Sequence, residues 1–153
     1  MSKLDQTDKT LLMFLQKDSK QTTKELANKL HLSVTAVYER IKKLEKEGII
    51  KNYVAILDKK RIAKNFLAHC HVRLTQHSKD FVMKFEKEIL KLEEVLECYH
   101  VSGDYDYILK VVVNDMEAYR DFMITKLTAI PNIGNTHSIF VIGEVKHTTA
   151  ISM

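Results

Sequence analysis

Only three residues, His31-Leu32-Ser33, separate two stretches of helical periodicity, and so short a link makes the two helices cross at a sharp angle. The first stretch opens on Thr22-Thr23-Lys24-Glu25. This is a capping box, in which the Thr22 hydroxyl and the Glu25 carboxylate each satisfy a free backbone N–H. The helix carries Leu26, Ala27 and Leu30 and ends near His31. Ser33 is placed to cap the next helix, whose Val34, Val37, Ile41 and Leu44 are expected on its inner face, with Gly48 at its C-terminal end. An earlier helix, from about Asp5 to Gln16, shows Leu4, Leu11, Leu12 and Leu15 on one side, and Asp5 and Asp8 suit its first turn. Three short helices with a tight turn before the third form a helix-turn-helix, whose third helix is the one that enters a DNA major groove.

The charge distribution agrees with that reading. Residues 1–65 hold 15 Lys and Arg against 8 Asp and Glu, whereas residues 66–153 hold 9 against 12. A basic module followed by an acidic one points to a polyanionic partner for the first only. On the third helix the expected outer face is Thr35, Ala36, Glu39, Arg40 and Lys43. Arg40 is suited to a bidentate contact with guanine, Glu39 to accepting from cytosine N4, and Ala36 to touching a thymine methyl. Ser33, Lys42, Lys43 and Lys46 suit phosphates, which position a protein without reading sequence. The plainer alternative is an ordinary solvated helix face.

From residue 66 the period changes. Leu67–Leu74 alternates as a strand, Phe81, Phe85, Ile89 and Leu92 have helical spacing, and Val95–Val101 is a strand. Ser102-Gly103-Asp104 signals a turn into the strand of Tyr107, Leu109, Val111 and Val113. Tyr119, Phe122, Met123 and Leu127 are helical, Pro131-Asn132 ends that helix, and His137–Val145 reads as the last strand. The order β-α-β-β-α-β is the ferredoxin-like pattern. The expected fold class is therefore α+β: a helix-turn-helix domain over 1–50, a linker with a short strand (Asn52 to Leu57) over 51–65, and a ferredoxin-like domain over 66–153.

Residues 32–58, LSVTAVYERIKKLEKEGIIKNYVAILD, and the preceding LDQTDKTLLMFLQKDSKQTTKELA resemble the N-terminal signature of the leucine-responsive/asparagine-regulator (Lrp/AsnC) family. Independently, VLECYHVSGDYDYILKVVV (95–113), EAYRDF (117–122) and EVKHTT (144–149) resemble its regulatory domain. One departure is His31, where the family usually has glycine. The resemblance implies a sequence-specific DNA-binding transcription regulator. It also implies a homodimer built on the C-terminal sheets, often assembled further into octamers, and a small effector, usually an amino acid. Such an effector needs an anionic partner for its ammonium and donors for its carboxylate. Gly103-Asp104-Tyr105-Asp106 brings two carboxylates to a turn where glycine lets backbone approach a ligand, and Thr136 and Ser138 offer hydroxyls at the expected start of the last strand. The family has a Thr-x-Thr-like pair there, and serine stands second here. Gly-Asp is equally what a plain hairpin turn requires.

Other chemistry is less well supported. His69, His71, Cys98 and His100 are metal-ligand types, but a third strand should lie between the two strands that carry them, so no metal site is expected. Neither a phosphate loop, a nucleophile elbow nor an HExxH motif is present, and a ferredoxin-like enzyme would leave the basic first half without a purpose. No catalytic residue and no cofactor beyond an amino-acid effector is expected. An architectural DNA-binding protein of low sequence preference is the closer alternative. No apolar run approaches the ~20 residues of a membrane helix, the N-terminus lacks an apolar signal core, and two cysteines form no disulfide framework. The cytoplasm is the expected compartment.

Overall fold

The computed structural model describes residues 3–153. The chain divides into two compact units: the residues up to Ile56 together with Val145–Met153, and Leu57–Glu144. The C-terminal tail thus groups with the helical unit, whereas the sequence pattern places it with the second domain.

In the first unit α1 (Gln6–Lys17), α2 (Thr23–Leu30) and α3 (Val34–Lys46) follow the sequence signals closely. Asp5 caps α1 and closes a capping box with Asp8, whose N–H donates to Asp5 Oδ1 at 2.7 Å. Thr22 and Glu25 form the expected box on α2. Ser33 Oγ accepts from the Ala36 N–H at 3.1 Å and fixes the start of α3. Both of the later helices end in Schellman turns. At α3 the residue with positive φ is Gly48, at 71°. At α2 it is His31, at φ 55°, with the Leu32 N–H reaching back to the Ala27 carbonyl at 3.0 Å. The left-handed residue is what turns the chain sharply enough for three residues to join α2 to α3. Leu11, Leu12, Leu15, Leu26, Ala27, Val37 and Leu44 make the buried core, with Ile41 and Ile50 packed against it. Asn52 to Leu57, expected as a strand, pairs with no strand among the described residues and carries exposed Val54 and Ile56.

The second unit opens on a single 3₁₀ turn, Lys59–Ile62, capped by Asp58. It continues with β1 (Phe66–Leu74), α4 (Lys79–Ile89), β2 (Val95–His100) and β3 (Tyr107–Val113). Then come α5 (Met116–Asp121), which runs on as a π-helical turn over Phe122–Leu127, and β4 (Ile133–Phe140). The strand order is β2-β3-β1-β4, with every neighbour antiparallel, so the ferredoxin-like topology is realised. Ala68, Cys70, Val72 and Leu74 of β1, with Tyr107, Leu109, Val111 and Val113 of β3, bury one sheet face with Phe85, Ile89, Tyr119, Phe122 and Leu127 of the helices. The other face carries His69, His71, Ile108, Lys110 and His137 and, among the described residues, has no helix of this unit on it. The last strand starts at Ile133 and stops at Phe140, earlier at both ends than the periodicity predicts. Among the described residues no helix is long and apolar enough to cross a membrane.

Candidate functional site

The stripe of α3 that packs inward is Val37, Arg40, Ile41 and Leu44, the spacing of one helix face. The exposed residues of the helix are Thr35, Tyr38, Glu39, Lys42, Lys43 and Lys46, with Val34 at its first turn. This corrects two placements. Val34, expected inside, is 49% exposed. Arg40, expected outside as a guanine reader, turns towards α1, where Nη1 donates to Asp5 Oδ2 at 2.7 Å and to Asp8 Oδ1 at 2.5 Å. Asp8 is only 2% exposed, the one buried charged residue among those described, and a buried carboxylate needs such a partner. The hydrogen bond from the Asp8 backbone, followed by the Arg40 guanidinium, holds the Asp5 carboxyl below its ordinary range, and the two carboxylates raise Arg40 in turn.

The other expected DNA-binding residues divide by what they already do. Ser33 Oγ accepts from the N–H of Ala36 as the cap, which leaves its O–H as a donor. Lys42 pairs with Glu45 at 3.0 Å and lies 5.7 Å from the centre of the Tyr38 ring. Thr35, Glu39 and Lys43 lie on the outer face with Lys46 a turn beyond them. Tyr38, 48% exposed, is a member of this face that the charge and hydrogen-bonding criteria pass over. The signal for it is nonetheless in the sequence, since 35, 38, 39 and 42 form one row of a 3.6-residue helix.

At the other site, Val72 is the common neighbour. Its carbonyl accepts from the Asp106 N–H at 2.9 Å, and across the strand it pairs with Thr136. The Gly103–Asp106 turn and Thr136 therefore reach the same end of the sheet. Gly103 has φ 124°, a value L side chains rarely adopt. Asp104 is exposed. Asp106 behaves differently: Oδ2 accepts from the Leu74 N–H at 2.7 Å and Oδ1 lies 2.9 Å from His77 Nε2. Burial would raise its pKa, but the Leu74 N–H and His77 outweigh that and hold the carboxyl below its ordinary value. Ser138 sits opposite Cys70 on the helix-covered face, its Oγ 2.7 Å from the Tyr119 hydroxyl. Tyr105 lies on the open face, against His71 and His137. The six expected effector residues thus gather at one end of the sheet but on two faces of it. His69 and His71 face the open side, whereas Cys98 pairs with buried Leu109 and His100 stacks on Tyr107 on the helix side, with β3 between the two pairs.

Residues 67–151 match the family description "Lrp/AsnC ligand binding domain", and residues 4–51 match "Winged helix-turn-helix DNA-binding". The chain belongs to the Lrp/AsnC family. The leucine-responsive regulatory proteins of Klebsiella pneumoniae and Escherichia coli K12 are each 36% identical over 97% of this chain and 90% of their own length. Two solved structures superpose with a TM-score of 0.93 over 97% of this chain and 96% of theirs. One is a transcriptional regulator from Neisseria meningitidis in complex with L-methionine, 32% identical, and the other an AsnC family regulator from Agrobacterium tumefaciens, 34% identical. This chain, as a member of the family, is a transcription regulator that joins a DNA-binding unit to a ligand-binding one.

Proposed function

We propose that this Lrp/AsnC family member binds specific double-stranded DNA through α3 in the cytoplasm, as a homodimer or a higher oligomer such as an octamer, under control of an amino acid. The observation that carries the reading is the outer row Thr35, Tyr38, Glu39 and Lys43 on a helix whose start is fixed by Ser33 and whose roll is fixed by Arg40. Thr35, Tyr38 and Glu39 read base edges, with Ala36 at the margin of the same contact. Lys42, Lys43, Lys46 and the Ser33 hydroxyl meet phosphates. Arg40 acts behind them by holding α3 against α1.

In the second unit Asp104 is the carboxylate for a ligand ammonium, while the turn from Gly103 through Tyr105 and the Thr136 hydroxyl supply the remaining polar contacts. Asp106 holds that turn, and Ser138 belongs to the wall behind it. A relative with the same fold that holds L-methionine supports the amino-acid class.

Selection from randomised DNA tests the reading. Wild type is expected to recover a pseudo-palindromic motif, as a symmetric dimer requires. Glu39→Ala should relax one position of each half-site, with about 1–3 kcal/mol less discrimination there. Lys43→Ala should weaken all sequences alike and reduce the salt slope by about 0.9 for each phosphate it no longer neutralises. Equal binding of every sequence at physiological salt would replace this reading with the architectural one.

A further inference from the structure

We infer that Glu45 sets how strongly the chain holds DNA, by keeping the Lys42 ammonium until a DNA phosphate takes its place. The inference rests on the reading of α3 as the DNA-facing helix. Tyr38, Lys42 and Glu45 stand at i, i+4 and i+7 of α3 and so share one stripe of it. Lys42 Nζ lies 5.7 Å from the centre of the Tyr38 ring and donates to Glu45 Oε2 at 3.0 Å. Tyr53, from the segment that follows the helix, donates its hydroxyl to Glu45 Oε1 at 3.1 Å. Both oxygens of the carboxylate are thus engaged, one by each neighbour. The start of the Tyr53 segment is folded back on the helix, since the Ile49 and Ile50 N–H groups both return to the Leu44 carbonyl.

A bare carboxylate on this stripe would repel the DNA backbone. Glu45 is instead paired with one of the three lysines assigned to phosphates. The Lys42 hydrogen bond holds the Glu45 carboxyl below its ordinary range, and the same bond raises Lys42. Both groups are therefore charged at neutral pH, and what changes on binding is the partner of the ammonium, not a proton.

An ammonium is a point charge with three donors on a flexible four-carbon stem. Lys42 can therefore pass from the carboxylate to a phosphate without movement of α3. What it gains at the phosphate is reduced by what it gives up at Glu45. Tyr53 makes that competition steady, because it fixes the carboxylate that Lys42 must leave. Exposed ion pairs are weak, so the reduction is a tuning of about two- to fivefold in affinity. It applies to every sequence alike, because phosphates carry no sequence information.

The test is fluorescence anisotropy of the full chain with a selected duplex and a random one, over a series of salt concentrations. Glu45→Gln should tighten both complexes by about two- to fivefold. The motif and the salt slope should stay as they are, since the same phosphates are neutralised. Lys42→Ala should weaken both complexes and lower the salt slope by about 0.9. Tyr53→Phe should tighten binding by less than Glu45→Gln. In a Lys42→Ala background, Glu45→Gln should change nothing, which is the coupling that a double-mutant cycle isolates. A gain that persisted without Lys42 would show direct repulsion of DNA by Glu45 and overturn the inference. Unchanged affinity in a Glu45→Gln protein as stable as wild type would overturn it too. A wild type that bound no DNA would sink the DNA-binding reading and the inference with it, whereas wild-type binding without coupling between the two positions would sink the inference alone.

Discussion

His31 shows how one side chain can work against the turn it occupies. Its φ of 55° lies in the left-handed region, which is strained by about 1–2 kcal/mol for a residue with a Cβ. The strain is tolerated because the turn beyond it returns two backbone N–H groups to the end of α2. His31→Gly is therefore expected to raise stability by about 1 kcal/mol, less what glycine loses in the unfolded chain. Thermal denaturation should register a rise of the first unit's midpoint, and a fall would mean that the imidazole has a role the backbone does not reveal. Arg40 is the opposite case, a charged side chain on the rim of a core. Arg40→Ala strands the buried Asp8 carboxylate. The expected cost is about 2 kcal/mol, below the roughly 3–5 of a wholly buried pair because the Arg40 side chain keeps 31% exposure. Denaturant titration measures that cost directly. A variant with unchanged stability and one altered base position would return Arg40 to the reading face.

At the scale of elements, the sequence and the structure agree wherever a local interaction decides the outcome. Caps at Thr22 and Ser33, and the glycine stop at Gly48, depend on atoms within one turn, so their signals are complete in the sequence, whereas Asp5, expected in the first turn of α1, is its cap. Strand alternation likewise marks the sheet, and the βαββαβ order marks its topology. What the sequence conceals is tertiary. The roll of α3 depends on which residues the α1 carboxylates capture, 32 and 35 positions away. The segment from Asn52 to Leu57 has strand composition but no neighbouring strand among the described residues, and composition alone supplies no partner. Asp106 reads as a ligand carboxylate because it lies in a glycine turn. Its actual partner, the Leu74 N–H at the end of β1, is remote in sequence. Asp106→Ala should leave that N–H without its acceptor and destabilise the second unit by about 1–3 kcal/mol. The pH dependence follows from the same bond. Because the folded carboxyl is held below its ordinary value near 3.8, its contribution is complete above that pH and is lost as pH falls through the folded value. Stability curves of wild type and variant should stay apart above about pH 4 and converge below it. Curves separated by the same amount at every pH would show that the loss does not come from the ionised carboxylate.

The whole molecule is two separately packed units, each with its own hydrophobic core. Unfolding of such a chain is not obliged to be a single transition, and that makes the units separable in one experiment. An amino acid that binds only the folded second unit raises that unit's stability by mass action, about 2.7 kcal/mol when the free ligand is a hundred times its dissociation constant. A calorimetric melt with each of the twenty amino acids should therefore move the transition belonging to Leu57–Glu144. The transition weakened by Arg40→Ala identifies the helix-turn-helix unit, so the two assignments do not depend on each other. Asp104 provides the control for the site itself. It is exposed, so Asp104→Ala should keep the ligand-free melt intact while removing the ligand-induced shift. Asp106→Ala should instead lower the ligand-free melt, because it loosens the turn before any ligand arrives. If an amino acid shifted Asp104→Ala as strongly as wild type, the ammonium contact would lie elsewhere in the unit. If it moved only the helix-turn-helix transition, the ligand site would have to be sought in the first unit, and the division of labour between the two would be wrong.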